Sequence, residues 1–123
     1  MIGLDYAGKT TLLERLKTKY GKVPGIPPDK IPPTIGMNLA RLFYEGMQVI
    51  MWDLGGQLKM RSLWEKYYDE AHAIVFLVDA TDVQRLEEAR LAYGMSRTLA
   101  AIGLNMVLNC NSHVQRRSVT MTN

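Results

Sequence analysis

The sequence holds a single cysteine, Cys110, so no internal disulfide can form. A disulfide-stapled secreted fold is thereby excluded, and a reducing compartment is expected. Long apolar runs are also missing. The longest, Ala73 to Val78, falls far short of the roughly 20 residues that a transmembrane helix needs. No charged-then-apolar signal opens the chain, and glycine stands at position 3 instead of the position 2 that N-myristoylation requires, so no membrane anchor is expected. Proline is confined to one stretch, with all five between Gly21 and Pro33. From Gly94 onward the chain lacks Asp, Glu, Lys and every aromatic residue, while four of its five asparagines fall there.

What remains is the composition of a folded domain: 123 residues, 47% hydrophobic and 22% charged. The net charge of +3 does not mark a nucleic-acid partner. Residues 1–93 hold all 12 acidic residues and 12 of the 15 basic ones, so the excess comes only from Arg97, Arg116 and Arg117. The organisation expected is a domain over residues 1–93 and a divergent tail over residues 94–123. That tail reads either as an unusual last helix and strand or as read-through or frame-shifted sequence. No internal repeat is found.

The chain opens on Gly3-Leu4-Asp5-Tyr6-Ala7-Gly8-Lys9-Thr10, which fits G-x-x-x-x-G-K-[ST]. Glycines in such a loop let backbone N–H groups curl around phosphate oxygens. Lys9 can then reach the β- and γ-phosphates, and the Thr10 hydroxyl can ligate Mg²⁺. Leu12, Leu13, Leu16 and Tyr20 fall on one face of a helix predicted over Thr10 to Tyr20, whose positive end points at the phosphates. The strand expected upstream is reduced to Met1-Ile2.

The proline-rich stretch predicts an extended, irregular connection. It is followed by a hairpin with strands at Met37 to Tyr44 and Met47 to Leu54 around Glu45-Gly46. The second strand ends in Trp52-Asp53-Leu54-Gly55-Gly56-Gln57. An acidic residue at a strand's carboxyl end, opposite a phosphate loop, is where an α/β sheet holds a phosphate-bound metal. The D-x-x-G spacing lets Gly56 offer an N–H to a terminal phosphate, with Gln57 next to orient a water. Leu63, Trp64, Tyr67 and Tyr68 predict an amphipathic helix, and Ala73 to Asp79 a buried parallel strand. Thr81 or Asp82 is expected to cap a helix carrying Val83, Leu86, Ala89 or Arg90, and Tyr93 on one face. The alternation of strands and helices predicts an α/β fold: a doubly wound, mostly parallel sheet with helices on both faces.

Together, GLDYAGKTT, PTIG, WDLGGQ with KMRSLWEKYY, and IVFLVDATD resemble the small GTPases of the ADP-ribosylation-factor branch, and the long loop before PTIG resembles the Arf-related Golgi subgroup. The likeness covers about residues 2–93. It implies the P-loop NTPase (Ras-like) fold, here incomplete at both ends, and a GTP-hydrolysing switch in Golgi vesicle traffic that is slow without an activator. It further implies GTP or GDP bound around Gly3, Asp5, Ala7, Gly8, Lys9, Thr10 and Thr11. Thr10 and Thr34 would be the Mg²⁺ ligands, with Asp53 holding the metal's water shell. Gly56 would sense the γ-phosphate, and Gln57, with Lys9 and Thr34, would serve catalysis. Pro32–Gly36 and Gly55–Tyr68 would be the two switches, meeting exchange factors, activating proteins and effectors as a monomer. Met37, Trp52 and Tyr67 match the family's exposed apolar effector triad, against a reading of them as plain core.

The chain departs from that pattern where a guanine-reading N-K-x-D should follow a strand near Leu104 to Asn109. Asn111-Ser112-His113-Val114 stands there without the Lys and the Asp, which puts guanine selectivity in doubt. The two-residue first strand is expected to leave the strands ending at Leu54 and Asp79 with unpaired edges. His72 and His113 have no partners that suggest a metal or catalytic role. Two other readings stand beside the switch: a non-catalytic fragment that binds effectors, and an ATP-using P-loop kinase. The kinase is disfavoured by Thr34 after a loop and by D-x-x-G-Q, and it lacks an Arg-rich phosphate lid.

Overall fold

A computed structural model describes residues 1–99, 105–110 and 119–121, with side chains as far as Ser96. The elements in chain order are β1 (Ile2–Gly3), α1 (Lys9–Tyr20), β2 (Met37–Tyr44), β3 (Met47–Leu54), α2 (Glu65–Tyr68), β4 (Ile74–Asp79), α3 (Leu86–Leu99), β5 (Asn105–Cys110) and β6 (Val119–Met121). One sheet runs β1-β4-β5-β6, parallel except for the antiparallel β5–β6 pair. The hairpin β2–β3 forms its own two-stranded ladder.

The hairpin follows its turn chemistry. Glu45 and Gly46 adopt φ of 47° and 79°, the left-handed pair that lets a two-residue turn match the twist of its strands. The alternate residues Ala40 and Leu42 point to one face and bury against Leu13 of α1, with Leu16, Tyr20 and Met51 around them. On the other side, Ile2, Leu4, Leu54, Trp64, Tyr68, Ile74, Phe76, Ala89 and Ala92 form the larger core. Phe76 meets Trp64 and Tyr93 edge to face, at ring separations of 6.3 and 5.3 Å.

Several local expectations are corrected. The short first strand touches both neighbours but pairs with them only in part, and β3 stays in a separate sheet, so most of the unpaired edge expected of β3 and β4 remains. Ile2 and Gly3 pair with Phe76 and Leu77, while the Met1 nitrogen donates to the Trp52 carbonyl (2.6 Å) and Leu54 N–H donates to the Met1 carbonyl (3.1 Å). The amphipathic helix expected from Leu63, Trp64, Tyr67 and Tyr68 is found as one α-turn, Glu65–Tyr68, with Trp64 and Tyr68 buried and Glu65 and Lys66 exposed; an unexpected 3₁₀ run, Leu58–Leu63, leads into it. Neither Thr81 nor Asp82 caps α3. The Thr81 N–H and hydroxyl both turn back to Asp79 Oδ1, and a 3₁₀ turn at Val83–Arg85 leads into the helix. Val83 and Leu86 consequently face solvent, and the buried face of α3 is Ala89, Ala92 and Ser96 with Tyr93 beside them. The proline-rich connection contains a 3₁₀ turn at Pro28–Lys30. It is pinned to α1 by Ile26 N–H on Glu14 Oε2 (2.7 Å) and Gly25 N–H on the Thr18 hydroxyl (3.3 Å). The change in composition at Gly94 falls inside α3, not at an element boundary.

Because Phe76 is fully buried between two other rings, Phe76→Ala should cost about 3–5 kcal/mol of stability. Val83→Ala, at an exposed site, should stay within about 0.5 kcal/mol of the parent. Urea titration of both variants checks the pair.

Candidate functional site

The segment Leu4–Gly8 bends from the end of β1 into α1, and a cleft of about 240 Å³ opens beside it. Asp5, Gly8, Lys9, Thr10 and Thr11 form one wall of the cleft, Thr34 and the proline loop another, and Gly56 with Gln57 its end. Gly56 must be glycine on steric grounds. A Cβ there would sit 2.3 Å from both the Asp5 nitrogen and the Gly3 carbonyl oxygen. The segment after β3 therefore packs its backbone directly on the phosphate loop.

Beneath the cleft lies a polar cluster. Asp53 is fully buried, and its Oδ2 accepts from the Thr10 hydroxyl at 2.5 Å, with Thr34 Oγ1 and Asn38 Nδ2 each at 3.4 Å. The Thr10 and Thr34 hydroxyl oxygens lie 2.7 Å apart. Asp53 Oδ1 is buried without a hydrogen-bond partner, an acceptor left over in a site of hard oxygen atoms. Two hydroxyls and one carboxylate beside a phosphate-sized cleft fit Mg²⁺, which takes one or two carboxylates and completes its shell with water and phosphate oxygens. Among the described residues no cluster of three His, Cys, Asp or Glu side chains offers an all-protein metal cage.

Lys9 is buried, and its ammonium donates to the Leu4 carbonyl at 2.7 Å. Burial lowers its pKa to about 8; Asp53 and Asp5 oppose that shift, and Arg61 and Arg85 reinforce it. Two arginines link the surroundings of the cleft. Arg85 donates to the Asp5 carboxylate (2.7 Å) and carbonyl (3.1 Å), while Arg61 donates from Nε to the Gly56 carbonyl (3.0 Å), and both reach Glu88.

The structure thus gathers Asp5, Gly8, Lys9, Thr10, Thr11, Thr34, Gly56 and Gln57 around one cleft and sets Asp53 under it. Gly3 and Ala7 stand behind the cleft, Gly3 against β4 and Ala7 in the buried turn. Trp52 and Tyr67 pack ring against ring at 5.4 Å with a 53° tilt, both half-buried, whereas Met37 is exposed. His72 is exposed, and Asn111-Ser112-His113-Val114 lies outside the described residues. Sequence reading misses Tyr6, which lines the cleft at φ 62°, as well as Pro28 and Ile31. The motif leaves the position of Tyr6 free, and nothing local places the proline loop over the cleft. It also misses Asn38 and the Arg61–Glu88–Arg85 group, because the contacts that bring them to the site, Asn38 to Asp53, Arg61 to Glu88 and Arg85 to Asp5, join distant stretches of chain.

Fold and site define a P-loop α/β protein of the Ras-like type. The sequence model of the ADP-ribosylation factor family matches residues 1–108, and the chain belongs to that family. Among curated proteins it is similar to ADP-ribosylation factor-related protein 1 of Bos taurus, 41% identical over 103 residues, covering 83% of this chain and 51% of the relative. The human protein of the same name is 43% identical over 94 residues, covering 76% of this chain and 47% of the relative. ADP-ribosylation factor-like protein 3 of Saccharomyces cerevisiae is 45% identical over 89 residues, covering 72% and 44%. The chain thus spans about half the length of the curated relatives it matches. Among solved structures it superposes on the Arl6 BBS3 small GTPase of Trypanosoma brucei with a TM-score of 0.62 at 24% identity, covering 90% of this chain and 84% of that one.

The buried lysine gives a pH signature. With the Lys9 pKa lowered from 10.5 to about 8 in the folded chain, its charged form is disfavoured by folding. Above pH 8 the unfolded chain holds more protons than the folded one, so this contribution to stability rises with pH up to about 10.5. The ligand-free protein should gain on the order of 3 kcal/mol from Lys9 across that window. Lys9→Met should abolish the gain, as pH-resolved denaturation of the two proteins would show.

Proposed function

We propose that this chain carries the nucleotide-binding part of a GTP-dependent molecular switch, which binds GTP and GDP and hydrolyses GTP to GDP. One observation carries the reading: Thr10 from the phosphate loop, Thr34 from the proline loop and Asp53 from β3 converge beneath a cleft that Lys9 and Gly56 also face. A threonine reached through a loop gives the protein a segment that a triphosphate can hold and a diphosphate can release. The curated relatives carry ADP-ribosylation-factor names, and the trypanosomal structure is that of a small GTPase with the bound nucleotide analogue GppNp.

Thr10 and Thr34 would hold Mg²⁺ through their hydroxyls, with Asp53 bonding to its waters, and the ion would neutralise charge on the phosphates. Lys9 binds the outer phosphates, Gly56 donates its N–H to the terminal one, and Gln57 orients the attacking water. Residues 1–93 form the switch domain in this reading, with Pro32–Gly36 and Gly55–Tyr68 as its moving parts. Exchange factors, activating proteins and effectors would meet those segments and the neighbouring apolar residues Met37, Trp52 and Tyr67. The setting proposed, from the family likeness, is vesicle traffic at the Golgi. Arg61 and Arg85 are both engaged with Glu88, and neither lines the cleft. Hydrolysis is therefore slow until a partner supplies an arginine.

Two variants test this. Thr10→Asn should lose at least roughly 10–100-fold of the magnesium-dependent triphosphate affinity, the loss that even an outer partner of a metal ligand produces. If magnesium tightens binding equally in variant and parent, Thr10 is not a ligand. Gln57→Leu should bind GTP normally and keep it unhydrolysed in the presence of an activating protein. Unchanged stimulated turnover in that variant would remove the role given to Gln57.

A further inference from the structure

The backbone of Gly55–Gly56–Gln57 is held at four points. Gly55 N–H donates to the Gly36 carbonyl at 2.9 Å, the Trp64 indole N–H donates to the Gly55 carbonyl at 3.0 Å, and Arg61 Nε donates to the Gly56 carbonyl at 3.0 Å. The fourth is the Met60 N–H, which donates to the Gln57 carbonyl at 2.7 Å. The peptide bond is planar, so a carbonyl held on one side fixes the direction of the N–H on the other. Trp64 therefore sets where the Gly56 N–H points, and Arg61 sets the Gly56–Gln57 plane from which the Gln57 side chain departs.

Arg61 is not free to turn. Its terminal nitrogen donates to Glu88 Oε1 on α3, while Glu88 Oε2 accepts from Arg85 Nε at 3.0 Å. Arg85 in turn grips the Asp5 carboxylate and carbonyl in the phosphate loop. The chain of contacts Asp5–Arg85–Glu88–Arg61–Gly56 thus joins the two ends of the cleft around its outside. The hydrogen bonds from Arg85 and then Arg61 hold the Glu88 carboxyl down to about pKa 2, so the bridge is ionised throughout the neutral range.

We propose that Glu88 is a positioning residue: through Arg61 it holds the Gly56–Gln57 peptide against the phosphate loop, so that the chain favours triphosphate over diphosphate. The proposal rests on the switch reading above. Glu88 does not line the cleft, and the inner-phosphate groups Gly8, Lys9 and Thr10 are fixed by α1 whether or not the bridge exists. Glu88 also meets Arg85, but Arg85 keeps two hydrogen bonds of its own to Asp5, so removing the Glu88 carboxylate should chiefly release Arg61 and loosen the end of the cleft that Gly56 and Gln57 form. Arginine is required at position 61, because Nε and a terminal nitrogen must bond two acceptors in one plane. Lysine keeps the charge but offers a single donor point.

The test measures GDP and a non-hydrolysable GTP analogue, with magnesium, on the full chain and on Glu88→Gln, Arg61→Lys and the double variant. Each single variant should lose about tenfold in triphosphate affinity, in line with loss of a hydrogen bond to a charged group, while GDP affinity stays within about twofold. The double variant should lose no more than either single one, since both cut the same bridge. Equal weakening of GDP and triphosphate, or strictly additive losses, would overturn the bridge, reducing Glu88 to a stabilising surface ion pair. If the unaltered chain binds neither nucleotide, the switch reading fails and takes this proposal with it; normal binding with an unchanged triphosphate preference in the variants overturns the bridge alone.

Discussion

A fully buried carboxylate organises this protein. Asp53 sits at the end of β3 with no exposed surface, and a buried charge costs several kcal/mol unless neighbouring groups compensate. The compensation comes from three directions: the hydroxyl at the start of α1, the hydroxyl of Thr34 and the amide of Asn38. Lys9 supplies the opposite charge nearby. Each partner belongs to a different stretch of chain, so satisfying Asp53 draws the phosphate loop, the proline loop and the hairpin to one point. One oxygen, Asp53 Oδ1, is still left buried without a hydrogen-bond partner.

Around that point the packing is arranged to keep the cleft open. α1 leans on the hairpin through Leu13, Ala40 and Leu42, while α3 covers the opposite side of β1 and β4 through Ala89 and Ala92. The two cores meet along a β1 that pairs through only two residues, so the Met1 bonds to β3 and the Phe76 and Leu77 register on β4 carry the junction. The close seat of Gly56 on Asp5 and Gly3 then brings the segment after β3 directly onto the phosphate loop, at the end of the cleft.

Much of this is legible in the sequence because the signals are local. The hairpin is found at its expected bounds, since Glu45-Gly46 sits between two apolar runs and turn chemistry acts over four residues. The phosphate loop and Asp53 are legible because their chemistry imposes fixed spacings. The start of α3 is not: Asp79, in place of Thr81 or Asp82, takes the available hydrogen bonds, and a 3₁₀ turn displaces Val83 and Leu86 from the core. The helical spacing of Leu63, Trp64, Tyr67 and Tyr68 does mark α2, but nothing local marks the 3₁₀ run Leu58–Leu63 before it. Trp64 and Arg61 turn back to the carbonyls of Gly55 and Gly56, a tertiary demand that periodicity does not carry. The first strand is legible in its length, which limits it to two paired residues and leaves the hairpin in its own sheet; the Met1 bonds to β3 depend on distant backbone groups and are not.

The oxygen cluster under the cleft, on this account, exists to hold a magnesium-bound triphosphate. Titration of the chain with GTP by calorimetry, in excess Mg²⁺ and again in excess chelator, measures that directly. The expected result is saturable one-to-one binding that weakens at least tenfold when the metal is removed, about 1.4 kcal/mol or more. Binding of equal strength with and without Mg²⁺, or no binding in its presence, would contradict it.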